Sequence, residues 1–356
     1  MAGRKGFLNG LRAAVEINNF ILKSLPPTLK VLLGARIPLR VTQYITERCN
    51  LDCLYCGRHE EGGPELTTNE VKILMSSFRK AGTLFWAFNG GEPLMRDDIG
   101  DLVNFAKSLG MFVNIATNGT LLPRKYRELR NADLINISIE GPKELHDAMR
   151  SRSYDLMVKG IMALAGEGIR FSFTAQINNR NIDSLGFLLD FAEKYKTKVA
   201  FQPVRVQKED REGKARAFFP TPEKMQAALD YLIREKAKGR QVSNSMAFMR
   251  QIRKSWPDRR PNMSCWAGRI YCSITPEGAA TACCDTLQDT HKDASCGRIQ
   301  NALKGFYLLP DFHCSTCYAM TPLEANLAMT MAFRSPWSAL RQVQSFLPRH
   351  FWNALK

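Results

Sequence analysis

No stretch of this 356-residue chain stays apolar for the ~18 residues a membrane-spanning helix needs, so no span is expected. A cleavable secretory signal is also missing, which argues against an oxidising compartment and against reading the ten cysteines as a disulfide framework. Acid is scarce: 34 Asp and Glu face 50 Lys and Arg, a formal net charge of +16. The shortage is greatest at the ends. Residues 1–40 hold seven basic side chains against Glu16 alone, and residues 334–356 hold four with no acid. That pattern implies basic appendages on an ordinary core rather than a basic nucleic-acid groove. Histidine is sparse too. His146 is the only one between residues 60 and 290; it falls in a charged helical stretch and is expected to face solvent. A hydrophobic content of 45% is that of a folded protein, and the length allows a large domain plus a smaller one.

What is present is concentrated in three cysteines. Cys49, Cys53 and Cys56 have the spacing C-x3-C-x2-C and directly follow an apolar run that reads as a strand. Three thiolates on one tight loop can hold three corners of a cubane iron–sulfur cluster. No fourth cysteine lies nearby, so one iron would keep an open site able to bind and activate a small molecule. Zinc ribbons usually pair two C-x2-C knuckles, and a structural zinc loop is the bland alternative.

This motif, with Tyr55 before its last cysteine, resembles the radical S-adenosylmethionine (SAM) superfamily. The segment Asn89-Gly90-Gly91-Glu92-Pro93, again after a predicted strand, is similar to that family's GGEP segment. The resemblance covers about residues 39–320. It implies a [4Fe–4S] cluster on Cys49, Cys53 and Cys56, with SAM chelating the open iron. A reduced cluster would cleave SAM to a 5′-deoxyadenosyl radical that abstracts hydrogen from a substrate. An electron donor such as flavodoxin or ferredoxin is implied as partner. Gly90, Gly91, Glu92 and Pro93 would hold the methionyl end of SAM, and Tyr55 would lie beside the adenine. Gly91→Val is then expected to weaken SAM binding while cluster content stays near normal. Ser138 and Glu140 suit ribose or methionyl hydrogen bonds. Gln176, Asn178 and Gln202 are weaker candidates, for which a plain strand-end hydrogen bond is the alternative. Thr117-Asn118-Gly119 lines the site or is only a turn.

The middle of the chain alternates strand and helix. Strands are predicted at 39–45, 84–88, 111–117, 134–139, 170–177 and 198–204, with helices at 68–81, 97–109, 155–167 and 182–195 between them. Six β-then-α units imply parallel strands with right-handed crossovers. The fold class is α/β, and the resemblance narrows it to a partial (β/α)6 TIM-like barrel over 39–240. Residues 207–216 read as a charged loop, Thr221-Pro222 opens a helix ending near Gly239, and 240–262 reads as a basic, poorly patterned bridge.

All seven other cysteines fall between Cys265 and Cys317. Cys265, the hairpin turn Pro276-Glu277-Gly278 and Cys283 resemble the start of the SPASM/Twitch extension of radical SAM enzymes. Cys314-x2-Cys317 adds a knuckle, and no cysteine follows it. The resemblance therefore implies one auxiliary [4Fe–4S] cluster on Cys265, Cys283, Cys314 and Cys317, in a module over 241–322. Cys272 is a plausible substitute, and Cys284 and Cys296 are spare. The same residues admit a zinc site.

Residues 4–25 and 337–355 repeat apolar side chains at helical spacing among basic ones. One reading lays these ends (1–38 and 323–356) on the inner face of a membrane as peripheral contacts of a cytoplasmic protein; the other packs them on the barrel. No nucleic-acid partner is expected. The expected function is radical SAM chemistry on a small-molecule or lipid-linked substrate. A peptide-modifying maturase is the alternative, made less favoured by the short segment before the barrel. A non-enzymatic iron–sulfur or zinc protein is the alternative of another class.

Overall fold

The computed structural model describes residues 26–27, 29–31, 33–56, 63–204, 215–257, 263–284, 302–309, 317 and 319–334. The two amphipathic stretches at 4–25 and 337–355, Cys296, Cys314 and most of the charged loop at 207–216 lie outside them.

Strand and helix alternate as predicted. The order is β1 (Arg40–Tyr44), α1 (Thr68–Lys80), β2 (Phe85–Asn89), α2 (Ile99–Ser108), β3 (Phe112–Thr117), α3 (Leu122–Lys125), β4 (Leu134–Ser138), α4 (Lys143–Met149), α5 (Tyr154–Gly166), β5 (Phe171–Ile177), α6 (Leu185–Lys194) and β6 (Val199–Pro203). There follow α7 (Pro222–Ala237), α8 (Met246–Ser255), β7 (Tyr271–Ile274), β8 (Ala280–Thr281), α9 (Ala302–Leu308) and α10 (Met320–Arg334). One sheet runs β6-β5-β4-β3-β2-β1-β7-β8, open at both edges. Every pair is parallel except the β7–β8 hairpin.

Strand alternation sorts the side chains. Val41, Trp86, Val113, Ile115, Ile135, Ile137 and Phe173 are fully buried, in one core with Leu74, Phe78, Leu102, Ile161 and Leu188 from the helices. The opposite face is polar and half-buried: Thr42, Asn114, Asn136, Ser172, Thr174, Gln176 and Gln202. Asn136 donates to Asn114 (3.1 Å) and accepts from Ser172 across neighbouring strands. A parallel sheet buried on both faces would read as continuous apolar runs. This polar interior therefore marks space for a polar guest.

Helix starts follow their caps. Thr67 accepts from Glu70 N–H, while the Glu70 carboxylate accepts from Thr67 N–H at 2.8 Å, closing a capping box on α1. The bridge expected at 240–262 contains a helix instead, α8. Ser245 caps it, and Phe248, Met249 and Ile252 form a buried stripe. Arg250, Arg253 and Lys254 on the other side hide that stripe in a composition-based reading. Glu324 of α10 accepts from both Ser245 N–H (2.8 Å) and its hydroxyl, tying the cap to the last helix described.

The hairpin of the cysteine-rich region is built onto the barrel. Strand β7 pairs with β1, Arg40 opposite Tyr271 and Gln43 opposite Ile274. Gly278 takes a positive φ of 93° in the hairpin turn, and Leu66 N–H donates to the Pro276 carbonyl at 2.9 Å. The turn thus leans on the far end of the loop that carries Cys49, Cys53 and Cys56.

Candidate active site

The cysteine loop leaves the C-terminal end of β1, where parallel barrels gather their chemistry. Cys53 is buried, and Cys49 and Cys56 are half-buried. The three thiols lie close enough to influence one another electrostatically, and burial pushes the Cys53 thiol up to about 12. The loop is pinned from three sides. Asn50 donates to Thr120 (2.8 Å) and accepts from Asn118 (2.9 Å) in the turn after β3. Asp52 exchanges two hydrogen bonds with the Ser151 hydroxyl, and Leu54 N–H donates to Met149 O after α4.

The third fastening is the Gly-Gly-Glu-Pro turn after β2. Gly91 N–H donates to Thr46 O and Glu92 N–H to Arg48 O, both at 2.8 Å. A Cβ at Gly90 would clash with the Thr46 backbone, and Gly90 also takes a positive φ of 146°. A Cβ at Gly91 would sit closer than 3.0 Å to the carbonyl oxygens of Arg48 and Glu47. Glycine is required here because the turn lies flat on the cysteine loop. A side chain at Gly91 would therefore meet the cysteine loop itself, in addition to any contact with SAM.

The acidic side chains expected to contact SAM have protein partners. Glu92 is buried and accepts from Thr117 Oγ1 (2.8 Å), Asn118 N–H (2.7 Å) and Leu94 N–H (3.0 Å), which joins the turn after β2 to that after β3. Burial raises its carboxyl, and these hydrogen bonds oppose the rise. Tyr55 donates to Glu140 Oε1 at 2.6 Å, and the same oxygen accepts from Arg150 Nε at 2.8 Å. The Arg150 guanidinium lies 5.5 Å from the centre of the Tyr55 ring. This buried triad fixes the last cysteine's neighbour to the ends of β4 and α4. Pro93 starts a short 3-10 turn capped by Glu92.

His146 is fully buried, not solvent-facing. Its Nδ1 accepts from Glu140 N–H at 3.3 Å, which leaves the proton on Nε2, 3.0 Å from Ser153 Oγ. Burial first, then Arg150, lowers it to about 3, with Asp147 opposing. The folded state thus keeps His146 neutral where the unfolded chain takes up a proton below about 6.5. Stability held above that pH is lost progressively as pH falls toward 3, by roughly 5 kcal/mol at most. His146→Gln should flatten the acid side of the stability curve between pH 7 and pH 4, measured by denaturant unfolding.

The remaining candidates occupy strand ends. Ser138 ends β4, opposite Thr174. Gln176 and Gln202 face each other across β5 and β6, and the Gln176 Oε1 atom is buried with no hydrogen-bond partner. Asn178 shapes the turn after β5, accepting from Arg180 and Asn181 N–H. Arg96 was not singled out in the sequence. It donates to the carbonyl oxygens of Ile45 (3.5 Å) and Leu66 (3.0 Å), at the two ends of the cysteine loop, and pairs with Glu65 and Asp98. Its position three residues after the Gly-Gly-Glu-Pro turn was the available signal.

Of the expected auxiliary ligands, Cys265, Cys283 and Cys317 all act electrostatically on the Tyr271 hydroxyl; burial first, then these thiols, raises it. Tyr271 donates to Asn326 Oδ1 at 3.1 Å, and the Asn326 amide lies 3.9 Å from Cys265 Sγ. Tyr271 and Asn326 are thus further members of this group. Cys272 is 2% exposed within the apolar core, and burial alone raises its thiol, so it stands apart from them.

Among the described residues, no three His, Cys, Asp or Glu side chains converge tightly enough for a single metal ion. Soft thiols spread along one loop instead fit the separate iron corners of a cluster. The polar interior face of the sheet fits a polar organic cofactor.

The described residues thus form an open, mostly parallel α/β sheet with three thiols on the loop after its first strand. Residues 44–192 match the family described as Radical SAM superfamily. It is similar to an Fe-coproporphyrin III synthase of Methanosarcina barkeri, 32% identical over 182 residues, 49% of this chain and 45% of that one. The chain thus spans about half the length of that relative. It is also similar to the mycofactocin maturase MftC of Mycolicibacterium smegmatis, 26% identical over 72% of this chain and 67% of that one. Among solved structures, Streptococcus suis SuiB bound to its precursor peptide SuiA superposes with a TM-score of 0.63 at 14% identity, covering 76% of this chain and 65% of that one. At that identity the likeness is one of fold.

Proposed function

We propose that this chain is a radical SAM enzyme with one auxiliary iron–sulfur cluster, acting on a small organic or lipid-linked substrate. One observation carries the reading: the Gly-Gly-Glu-Pro turn is fastened face to face on the loop that bears Cys49, Cys53 and Cys56. In this reading those cysteines hold the catalytic [4Fe–4S] cluster, and backbone at Gly90 and Gly91 borders SAM. A cluster and SAM bound there would supply reductive cleavage of the sulfonium and removal of hydrogen from an unreactive C–H bond. The chain's own part is orientation. Glu92, Asn118 and Asn50 hold the loop against the turns after β2 and β3, and the Tyr55–Glu140–Arg150 triad holds its far side. Cys265, Cys283, Cys314 and Cys317 would hold the auxiliary cluster. A peptide substrate is a second reading, supported by the maturase relative, whose match spans 72% of this chain.

Anaerobic incubation of reconstituted protein with SAM, dithionite and candidate substrates tests the reading. 5′-Deoxyadenosine should form, and its stimulation by a lipid, a small acid or a peptide distinguishes the substrates. No 5′-deoxyadenosine under any condition would sink it. Iron content tests the auxiliary site. Wild type should hold about 8 Fe per chain and the Cys49/Cys53/Cys56 triple alanine variant about 4. Zinc retained in place of iron in that variant would favour a structural zinc site.

A further inference from the structure

Alternation along β1 puts Arg40, Thr42 and Tyr44 on one face, and all three line a cavity of about 100 Å³ beneath the start of α10. Gln202, Ser273 and Cys283 share its wall. Among the described residues its lining holds no acidic side chain, and Arg40 is the only cation there. The Arg40 Nε is buried with no hydrogen-bond partner. Burial lowers the guanidinium to about 10, with no neighbouring acid to oppose the shift. Arg40 is half-buried as a whole with its Nε enclosed, and a perturbed, unpartnered group facing a cleft marks a candidate functional site.

We propose that Arg40 anchors a carboxylate of the substrate inside the open barrel, with Thr42, Gln202 and Ser273 offering neutral hydrogen bonds around it. This rests on the radical SAM reading of the cysteine loop and names the chemistry of its substrate. One cation among neutral groups matches a single negative charge better than a phosphate dianion. Arg40 stands four residues before Tyr44, roughly 13 Å along the strand from the end that feeds the cysteine loop. The anion bound there is therefore not the methionyl carboxylate of SAM at the loop. A molecule anchored on Arg40 extends along the polar interior toward the loop, with Cys283 of the auxiliary group on the same cavity wall. The cavity admits a carboxylate terminus, from a small acid or from the C-terminus of a peptide.

The full-length chain with clusters reconstituted is unfolded thermally with hexanoate, hexanamide, inorganic phosphate, and a hexapeptide with a free or an amidated C-terminus. Hexanoate or the free-carboxyl peptide should raise the melting temperature by about 2 °C, and the amides and phosphate should not. Response to hexanoate assigns a small acid, and response to the peptide alone assigns a C-terminus. The shift should vanish in Arg40→Met and persist in part in Arg40→Lys. Equal shifts in wild type and Arg40→Met, or no shift in wild type, overturn the proposal. Loss of about half the iron in Arg40→Met also overturns it, because Arg40 would then be a counter-ion of the auxiliary cluster. The acid-against-amide comparison in wild type stands even where Arg40→Met fails to fold. Failure of the radical SAM reading shows separately, as wild type that forms no 5′-deoxyadenosine while the acid still binds.

Discussion

Alanine in place of Cys49, Cys53 or Cys56 is expected to reduce 5′-deoxyadenosine formation to background while the fold survives. Each variant removes one of three thiolates, and no fourth cysteine in the loop can take its place. The fold survives because other residues hold the loop. Asn50, Asp52, Leu54 and Glu92 make its hydrogen bonds to the turns after β2, β3 and α4. Loss of one small buried or half-buried thiol should cost about 1 kcal/mol. Circular dichroism and denaturant unfolding of the apo-proteins check the second half of the prediction. Wild-type SAM cleavage in any of the three would remove the loop from the catalytic role.

Gly91→Val should produce a larger structural effect than its position in a surface turn suggests. The new side chain would meet the Arg48 and Glu47 carbonyl oxygens at less than 3.0 Å. Backbone atoms cannot swing aside as a flexible side chain can, so the turn or the loop must shift. The hydrogen bonds from Gly91 and Glu92 N–H to Thr46 and Arg48 would go with it. Iron content in the catalytic site should therefore fall together with SAM affinity. Iron analysis and equilibrium binding of SAM report the two quantities separately. Full iron with weakened SAM binding would return Gly91 to a role in the SAM pocket alone.

The six strands of the barrel were legible because each is a short run rich in β-branched or aromatic residues between helical periods. The cap at Thr67 and the proline at 222 marked helix starts for the same local reasons. Helix α8 was not legible because Arg250, Arg253 and Lys254 dilute a stripe of only three large apolar residues. His146 was misplaced because its sequence neighbours Lys143, Glu144 and Asp147 are charged, while what buries it comes from elsewhere: the Glu140 backbone, Ser153 and the ring of Tyr154, 5.6 Å away. The motif positions of Gly90, Gly91 and Glu92 could be read from sequence, but what they touch could not. The contacts of Glu92 with Thr117 and Asn118 span about 25 residues, and the pairing of β7 with β1 spans over 200. No local pattern encodes a partner at that distance. Arg40 read as the second residue of the strand expected at 39–45 and as one more basic residue near the N-terminus; only the fold shows that it lines a cavity beside Tyr271.

The clamp formed by Arg96 has a consequence for how such a protein is maintained. By gripping Ile45 and Leu66 at once, one side chain closes the ring of backbone in which the three thiols sit. The cost of drawing that ring together is met by the barrel as it folds, not by metal binding. Filling and folding become separate events. On the proposed cluster assignment, a folded chain stripped of metal would keep the outline of its socket and would refill without unfolding.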